Sequence, residues 1–439
     1  MSKIKQVNAY EVLDSRGNPT VYAEVLLDDG TRHGAFVPSG ASTGEREAVE
    51  MRDGDKKRYR GRGVLKAVEN VNGPLNRVVA GMDAREQKAI DQALIAADGT
   101  PNKSKMGANA MLAVSIACMR AACRSEKAWL WDWVASLAGE REPVELPVPM
   151  LNVFNGGVHA PGSADFQEFM VVPIGLPTFH EAIRAGSEIF QALGAELRDQ
   201  GLSTEVGYEG GYAPHGLTNR QVLGFVTQAI EDAGYVPGEQ VYVALDPAAS
   251  EFFRKGTRTY SLRREGVRLS PGMMIEEYED LCKHYPIYSI EDGLAEDDWE
   301  GWVEFTRRDG ATVQLVGDDL FVTQAQYLKQ GIAQKAGNAV LIKLNQVGTV
   351  TETLDTIKLA KKAGFGVVVS HRSGETEDTT IADLSVGTRA GQIKAGAPSR
   401  SERVAKYNRL LRIEGWLGGK AEYAGRRVLK SKGKSGRSA

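Results

Sequence analysis

Cysteine is scarce in this chain of 439 residues: Cys118, Cys123 and Cys282 are the only three, and none forms a CxxC pair. An odd count without such a pair gives no basis for a disulfide framework or a cysteine-held zinc site, and it fits a reducing, cytoplasmic setting. Excess positive charge is lacking as well. With a formal net charge of −3, the chain has no clustered cationic excess for non-specific nucleic-acid binding, so no nucleic-acid partner is expected. Long apolar runs are missing too. The opening residues MSKIKQVNAYEVLD hold no hydrophobic segment of the signal-peptide kind, and the stretch GANAMLAVSIACMR is shorter than the roughly 20 residues that span a bilayer. Neither export nor a membrane partner is expected. Only the end, VLKSKGKSGRSA, is clearly basic. Its Gly, Ser and Lys residues offer little to bury, which predicts a flexible tail over 429–439.

What is present is a change of pattern along the chain. Residues 1–140 read as a small α+β domain. TVYAEVLLDDGTRHGAFV gives two extended runs joined at Asp29-Gly30, a hairpin signal, and helical periodicity follows in ANAMLAVSIACMRAACR. The charged, proline-interrupted AGEREPVELPVPM marks the boundary. Over 141–428, short β-branched runs alternate with amphipathic segments: VYVALD, YPIYSIED, VQLVGDD, AVLIKLN, GVVVSHR and GQIKAG. Such alternation predicts parallel strands with crossover helices. One of those helices opens with a capping-box signal, Thr349 to Glu352. Glu291, Asp318, Lys343, His371 and Lys394 are spaced by 27, 25, 28 and 23 residues, near the roughly 30 residues of one strand–helix unit of a barrel. A regular α/β barrel is the simplest architecture these spacings predict.

Each run ends in a polar residue: Asp246, Glu291-Asp292, Asp318-Asp319, Lys343, Ser370-His371-Arg372-Ser373, Lys394. In a parallel barrel these ends open on one face, so distant positions converge on one cavity. A single Asp after a strand is commonly a helix N-cap; six successive polar strand ends point to a site. Carboxylates gathered there repel one another unless a cation neutralises them. Asp246, Glu291 and Asp318 offer oxygen alone, which favours Mg²⁺ over Zn²⁺ and implies an anionic substrate sharing the metal's shell. Lys343 reads either as an ion-pair partner or as a base. Glu209 stands in VGYEGG, where flanking glycines allow a close approach of backbone to ligand. It reads either as a solvated turn residue or as a carboxylate aimed into the cavity.

Longer matches add a family resemblance. DSRGNPTV (14–21), PSGASTG (38–44), NKSKMGANA (102–110), FQEFM (166–170), SIEDGL (289–294), GDDLFVT (317–323), LIKLNQ (341–346) and SHRSGETED (370–378) resemble the enolases over nearly the whole length. The resemblance implies an N-terminal α+β capping domain on a modified TIM-type barrel that begins with two strands and two helices. It further implies a homodimer, two Mg²⁺ per site and reversible dehydration of 2-phosphoglycerate, a small phosphorylated three-carbon acid. By resemblance, Asp246, Glu291 and Asp318 hold the first Mg²⁺, and Ser42 reaches the second and the substrate. Lys343 matches the general base, Glu209 the general acid and Glu168 the carboxylate supporting it, with Gln167 a neighbouring polar contact. His159 matches a loop residue that closes over substrate. In the SHRSGETED motif, His371 belongs to the substrate side, and Arg372 and Ser373 match the phosphate-binding pair. Lys394 matches a cation beside the substrate carboxylate and the metal.

Two stretches depart from the family pattern. Tyr208 occupies the position where a GDEGG pattern has aspartate, and HAPGSADFQEFM replaces the usual loop after the histidine, with Pro161 stiffening it. Either Tyr208 borders the cavity, removing a negative charge beside Glu209, or it points away. A second reading therefore stands beside dehydration: an enolase-like synthase, resembling carboxyphosphonoenolpyruvate synthase of phosphonate biosynthesis, that joins a phosphonoformate-type group to the three-carbon skeleton. A third, a non-catalytic binding protein on the same scaffold, is disfavoured because Lys343, Glu209 and the metal carboxylates are all retained.

Overall fold

The computed structural model describes residues 2–40 and 44–429. Ser42 and the tail expected beyond Leu429 lie outside the described residues.

The N-terminal part opens with an antiparallel meander of Ile4–Leu13, Pro19–Leu27 and Arg32–Phe36. The predicted hairpin turns at Gly30, whose φ of 85° suits glycine. Val21, Ala23, Val25 and Leu27 alternate onto one face, the period of a half-buried strand. That face packs against the helix Ala108–Ser125. Small residues such as Ala110, Ala113, Ala117 and Ala121 allow this helix to be buried nearly all round, between the sheet and the barrel's outer helices.

Eight strands close the barrel: Val148–Asn155, Glu168–Val172, Tyr242–Asp246, Ile287–Glu291, Gln314–Gly317, Ala339–Ile342, Gly366–Ser370 and Gly391–Gly396. They are called the first to eighth strands below. Aliphatic and β-branched residues dominate because both faces are covered, by outer helices and by an interior filled with Met150, Met170, Val316, Leu341 and Val368.

The regular barrel read from the spacings needs correcting. The second strand runs antiparallel to both neighbours. The helices Phe179–Asp199 and Asn219–Asp232 follow it in succession before the third strand. This is the modified barrel with an N-terminal α+β part that the resemblance implied. The predicted cap at Thr349 is present in altered form: its hydroxyl accepts from Glu352 N at 3.2 Å and donates to Glu352 Oε2 at 2.7 Å. A complete capping box stands instead at Thr218 and Gln221. No described helix is long and apolar enough to cross a membrane.

Candidate active site

The reversed second strand decides which residues meet. A parallel strand brings its C-terminal end to the catalytic face, whereas an antiparallel one brings its first residue. Glu168, which opens the second strand, is therefore level with Asp246, which closes the third. In a ring of eight, the second and sixth strands are diametrically opposed. Lys343, just past the sixth, thus faces Glu168 across the mouth.

Glu209 arrives by another route. The loop between the two successive helices folds back onto the first strand, with Tyr212 N donating to Val153 O at 3.0 Å and Asn155 N to Tyr212 O at 2.8 Å. Glycine is required there. A Cβ on Gly211 would lie 2.8 Å from Phe154 N, and Gly210 has φ of 90°. The glycines of VGYEGG thus press the loop onto the barrel, leaving Glu209 only 2% exposed.

Every residue expected at the site except Glu291 and Ser42 lines one small buried cavity. Lys394 Nζ stands at its centre, 2.9 Å from Glu168 Oε2, 3.1 Å from Asp246 Oδ2 and 2.9 Å from Glu291 Oε1. Glu291 is reached through this lysine. Asp318 pairs instead with Lys343 Nζ and accepts from Gln346 Nε2 at 2.8 Å. Asp292 holds the backbone of the next strand end, accepting from Asp318 N and Asp319 N at 2.9 Å each. Two ammonium groups, Lys343 and Lys394, therefore pair with Glu168, Asp246, Glu291 and Asp318, while Asp292 and Asp319 pair with neither. Burial first, then Asp246, pushes the Glu291 carboxyl well above its ordinary range. Burial and Asp318 do the same to Asp319. A buried, all-oxygen donor set with this charge imbalance fits a hard divalent cation. The oxygens of Asp292, Asp318 and Asp319 lie within 4.8 Å of one another. The expected triad divides between two lysines, with Asp246 and Glu291 on Lys394 and Asp318 on Lys343.

The opposite wall holds a second group. His159 Nδ1 is 3.6 Å from Glu168 Oε1 and 3.7 Å from Glu209 Oε1. Burial, reinforced by Glu209, raises the Glu168 pKa well above the ordinary value. Burial also acts upward on Glu209, but the facing His371, His159 and Arg403 outweigh it and hold that carboxyl low. The two neighbouring carboxyls thus shift in opposite directions, which favours one proton shared between them. His371 is pushed down to about 4 by burial, although Glu209 opposes the shift. Its Nδ1 lies 2.7 Å from Arg403 Nη1, which can only donate, so Nδ1 accepts and Nε2 carries the proton, 3.3 Å from Glu209 Oε2. His159 Nδ1 and Gln167 Oε1 are buried without a hydrogen-bond partner among the described residues, polar atoms suited to meeting a ligand.

Lys343 is held above its ordinary pKa: burial, the largest influence, pushes it down, but Asp318 and Glu291 together bring the balance upward. Arg372 is engaged across the domain boundary, with Nη1 donating to Glu47 Oε2 and to Asn345 Oδ1, both at 2.9 Å. Tyr208 resolves its two readings. Its side chain is 43% exposed and lines an outer cleft, while its carbonyl accepts from Arg403 Nη2 at 3.1 Å. It points away from the catalytic cavity.

Sequence reasoning missed Arg403, Glu47, Gln346 and Asn152, whose Nδ2 donates to Glu209 Oε2 at 3.0 Å. Only Gln346 and Glu47 carried any signal, standing in or just beyond the LIKLNQ and PSGASTG motifs. Comparison with protein families gives two matches: Enolase, N-terminal domain, over residues 4–134, and Enolase, C-terminal TIM barrel domain, over residues 143–432. With both domains matched and the closed barrel carrying its reversed second strand, the chain belongs to the enolase family.

Proposed function

We propose that the protein catalyses the reversible, Mg²⁺-dependent dehydration of 2-phosphoglycerate to phosphoenolpyruvate. The observation that supports this most is the opposition of Lys343 to the Glu168–Glu209 pair across one cavity, because anti elimination needs a base and an acid on opposite faces of the substrate.

Asp246, Glu291 and Asp318 would hold one Mg²⁺ and Ser42 would reach a second; when bound, these ions supply positive charge for the ene-diolate that develops beside the substrate carboxylate. Use of a Lys base with Mg²⁺ is the general enolase-superfamily pattern. With Asp318 committed to the cation, Lys343 loses the partner that holds its proton, and its neutral Nζ takes the proton from C2. The electron pair left on C2 delocalises into the carboxylate, where Lys394 stabilises the added charge. The C3 hydroxyl then leaves as water, taking the one proton that the Glu168–Glu209 pair shares, delivered through Glu209. Neutral His371 and Asn152 keep Glu209 in place, Gln167 and His159 close the leaving-group side, and Arg372 and Ser373 hold the phosphate. In this reading Arg372 exchanges its hold on Glu47 for the substrate's phosphate.

The test is 2-phosphoglycerate turnover followed by phosphoenolpyruvate absorbance, together with exchange of the C2 hydrogen in deuterated solvent. Lys343→Ala should lose exchange, and Glu209→Gln should retain exchange while losing dehydration. Undiminished exchange in Lys343→Ala would remove that residue as the base. A second reading, the synthase that joins a phosphonoformate-type group, draws support from Tyr208 facing an arginine-lined cleft. A parent protein that turns over 2-phosphoglycerate only when a phosphonate co-substrate is present would favour it.

A further inference from the structure

No hydrogen bond among the described residues fixes the ring of His159. Its Nδ1 is buried without a partner, 3.6 Å from Glu168 Oε1 and 3.7 Å from Glu209 Oε1. The ring's place therefore depends on the loop that carries it, and that loop is tied down from outside the cavity. Beyond the third barrel strand, Thr259–Leu262 and Val267–Leu269 pair as an antiparallel hairpin. At its turn, Asp165 accepts from the backbone N–H of Arg263 at 3.0 Å and of Arg264 at 2.7 Å. In return, Arg264 Nε donates to Ser163 O at 3.1 Å and its Nη2 donates to Gly162 O.

Gly162 and Ser163 also meet the segment that leaves Glu209. Gly216 N donates to Gly162 O at 3.1 Å, and Ser163 Oγ donates to Pro214 O at 2.8 Å. Glu265 completes the circuit: its Oε1 accepts from Asn219 N at 2.8 Å, and Asn219 Oδ1 accepts from Phe166 N at 3.0 Å. Connections that follow the first, second and third barrel strands are thus joined at one place.

We propose that Arg264, which lies outside the catalytic cavity, is a positioning residue for the wall around Glu209. With Asp165 it clamps the His159 loop to the segment leaving Glu209, and so sets how closely His159 stands over the Glu168–Glu209 pair. A guanidinium suits the task, because its fixed fork of donors engages two successive carbonyls at once. Its charge strengthens both hydrogen bonds. Arg264 is exposed, so it braces the loop without burying that charge. The catalytic consequence rests on the dehydration proposed above; the clamp itself does not.

The variants are Arg264→Gln and, as the conservative control, Arg264→Lys, both loaded with Mg²⁺. In Arg264→Gln, amide hydrogen exchange should rise about tenfold at Gly216 and Phe166, whose N–H groups bond across the clamp. It should stay unchanged in the sixth barrel strand, beside Lys343. Dehydration of 2-phosphoglycerate should fall about tenfold through misplacement of the donor wall. Exchange of the C2 hydrogen, which uses the Lys343 side, should be retained, and Arg264→Lys should recover part of the loss. Dehydration at the parent rate would show an idle contact, and equal loss of dehydration and C2 exchange a general weakening of the fold. Either result, or unchanged amide exchange at Gly216 and Phe166, would overturn the proposal. A parent protein that neither exchanges the C2 hydrogen nor dehydrates 2-phosphoglycerate would defeat the catalytic reading, while coupled loosening of Gly216 and Phe166 would still establish the clamp.

Discussion

At the scale of single residues, Arg403 shows how a group that lines no part of the cavity controls one that does. Fully buried, it donates to His371 Nδ1 at 2.7 Å and to the carbonyls of Arg372 and Ser373 at 2.6 Å each. One side chain thereby fixes a tautomer and the path of the backbone that carries Arg372 and Ser373. Its charge also opposes protonation of the ring. Arg403→Met, with Arg403→Lys as the charge-retaining control, is expected to raise the His371 pKa from about 4 by on the order of one unit. Histidine ¹⁵N shifts would report both the pKa and loss of the Nε2–H tautomer. An unchanged titration in Arg403→Met would show that burial alone sets it. Because the folded-state pKa is depressed, the unfolded chain takes up this proton first, and His371 removes stability as the pH falls from about 6.5 towards 4. None of this was legible beforehand, since Arg403 lies in a helix after the last barrel strand and belongs to none of the quoted motifs.

At the scale of elements, the cap at Thr349 joins local and long-range structure. Its hydroxyl bonds both backbone and carboxylate of Glu352, and the same carboxylate group reaches Lys103 Nζ at 3.0 Å. Thr349→Ala should cost about 1 kcal/mol, read as a lower urea midpoint. Glu352→Gln should lose part of that by weakening the link to Lys103; a midpoint unmoved in both would show that packing of this helix makes the cap redundant. The Thr–Glu spacing was visible in the sequence, as were strand ends such as Asp246 and Lys343, because periodicity and turn chemistry are local. Strand direction is not local. Nothing in FQEFM states that its strand runs backwards, so Glu168 could be placed at the mouth only by resemblance. The division of the triad between Lys394 and Lys343 was equally hidden, since it depends on how five barrel strands meet in space.

At the scale of the whole molecule, the N-terminal part is pinned to the barrel by partly buried charge. Arg120, on the helix beneath the N-terminal sheet, pairs with half-buried Asp378 beyond the seventh strand. Burial pushes the Asp378 carboxyl up, but Arg120 and the Thr380 hydrogen bonds outweigh it and leave it below its ordinary value. This contribution is therefore full above about pH 3.8 and is lost as the pH falls through the lower folded value. Arg120→Ala should destabilise by about 2 kcal/mol, between the costs of breaking an exposed and a buried pair. Unfolding curves at neutral pH and near pH 3 would check it, since the difference between variant and parent should shrink in acid. A longer consequence follows from the reversed second strand. Asn152, His159, Gln167, Glu168 and Glu209 all come from one continuous stretch of chain, whereas Asp246, Glu291, Asp318, Lys343 and Lys394 are scattered over the remainder. Apart from His371 and the residues that brace it from behind, Arg403 and Arg264, the wall around Glu209 is thus heritable as a single cassette, and both departures from the family pattern, Tyr208 and the loop after His159, fall inside it. In the proposed reaction, such a layout would let the proton-donating half be rewritten by a local graft while the half that takes the C2 proton is passed on untouched.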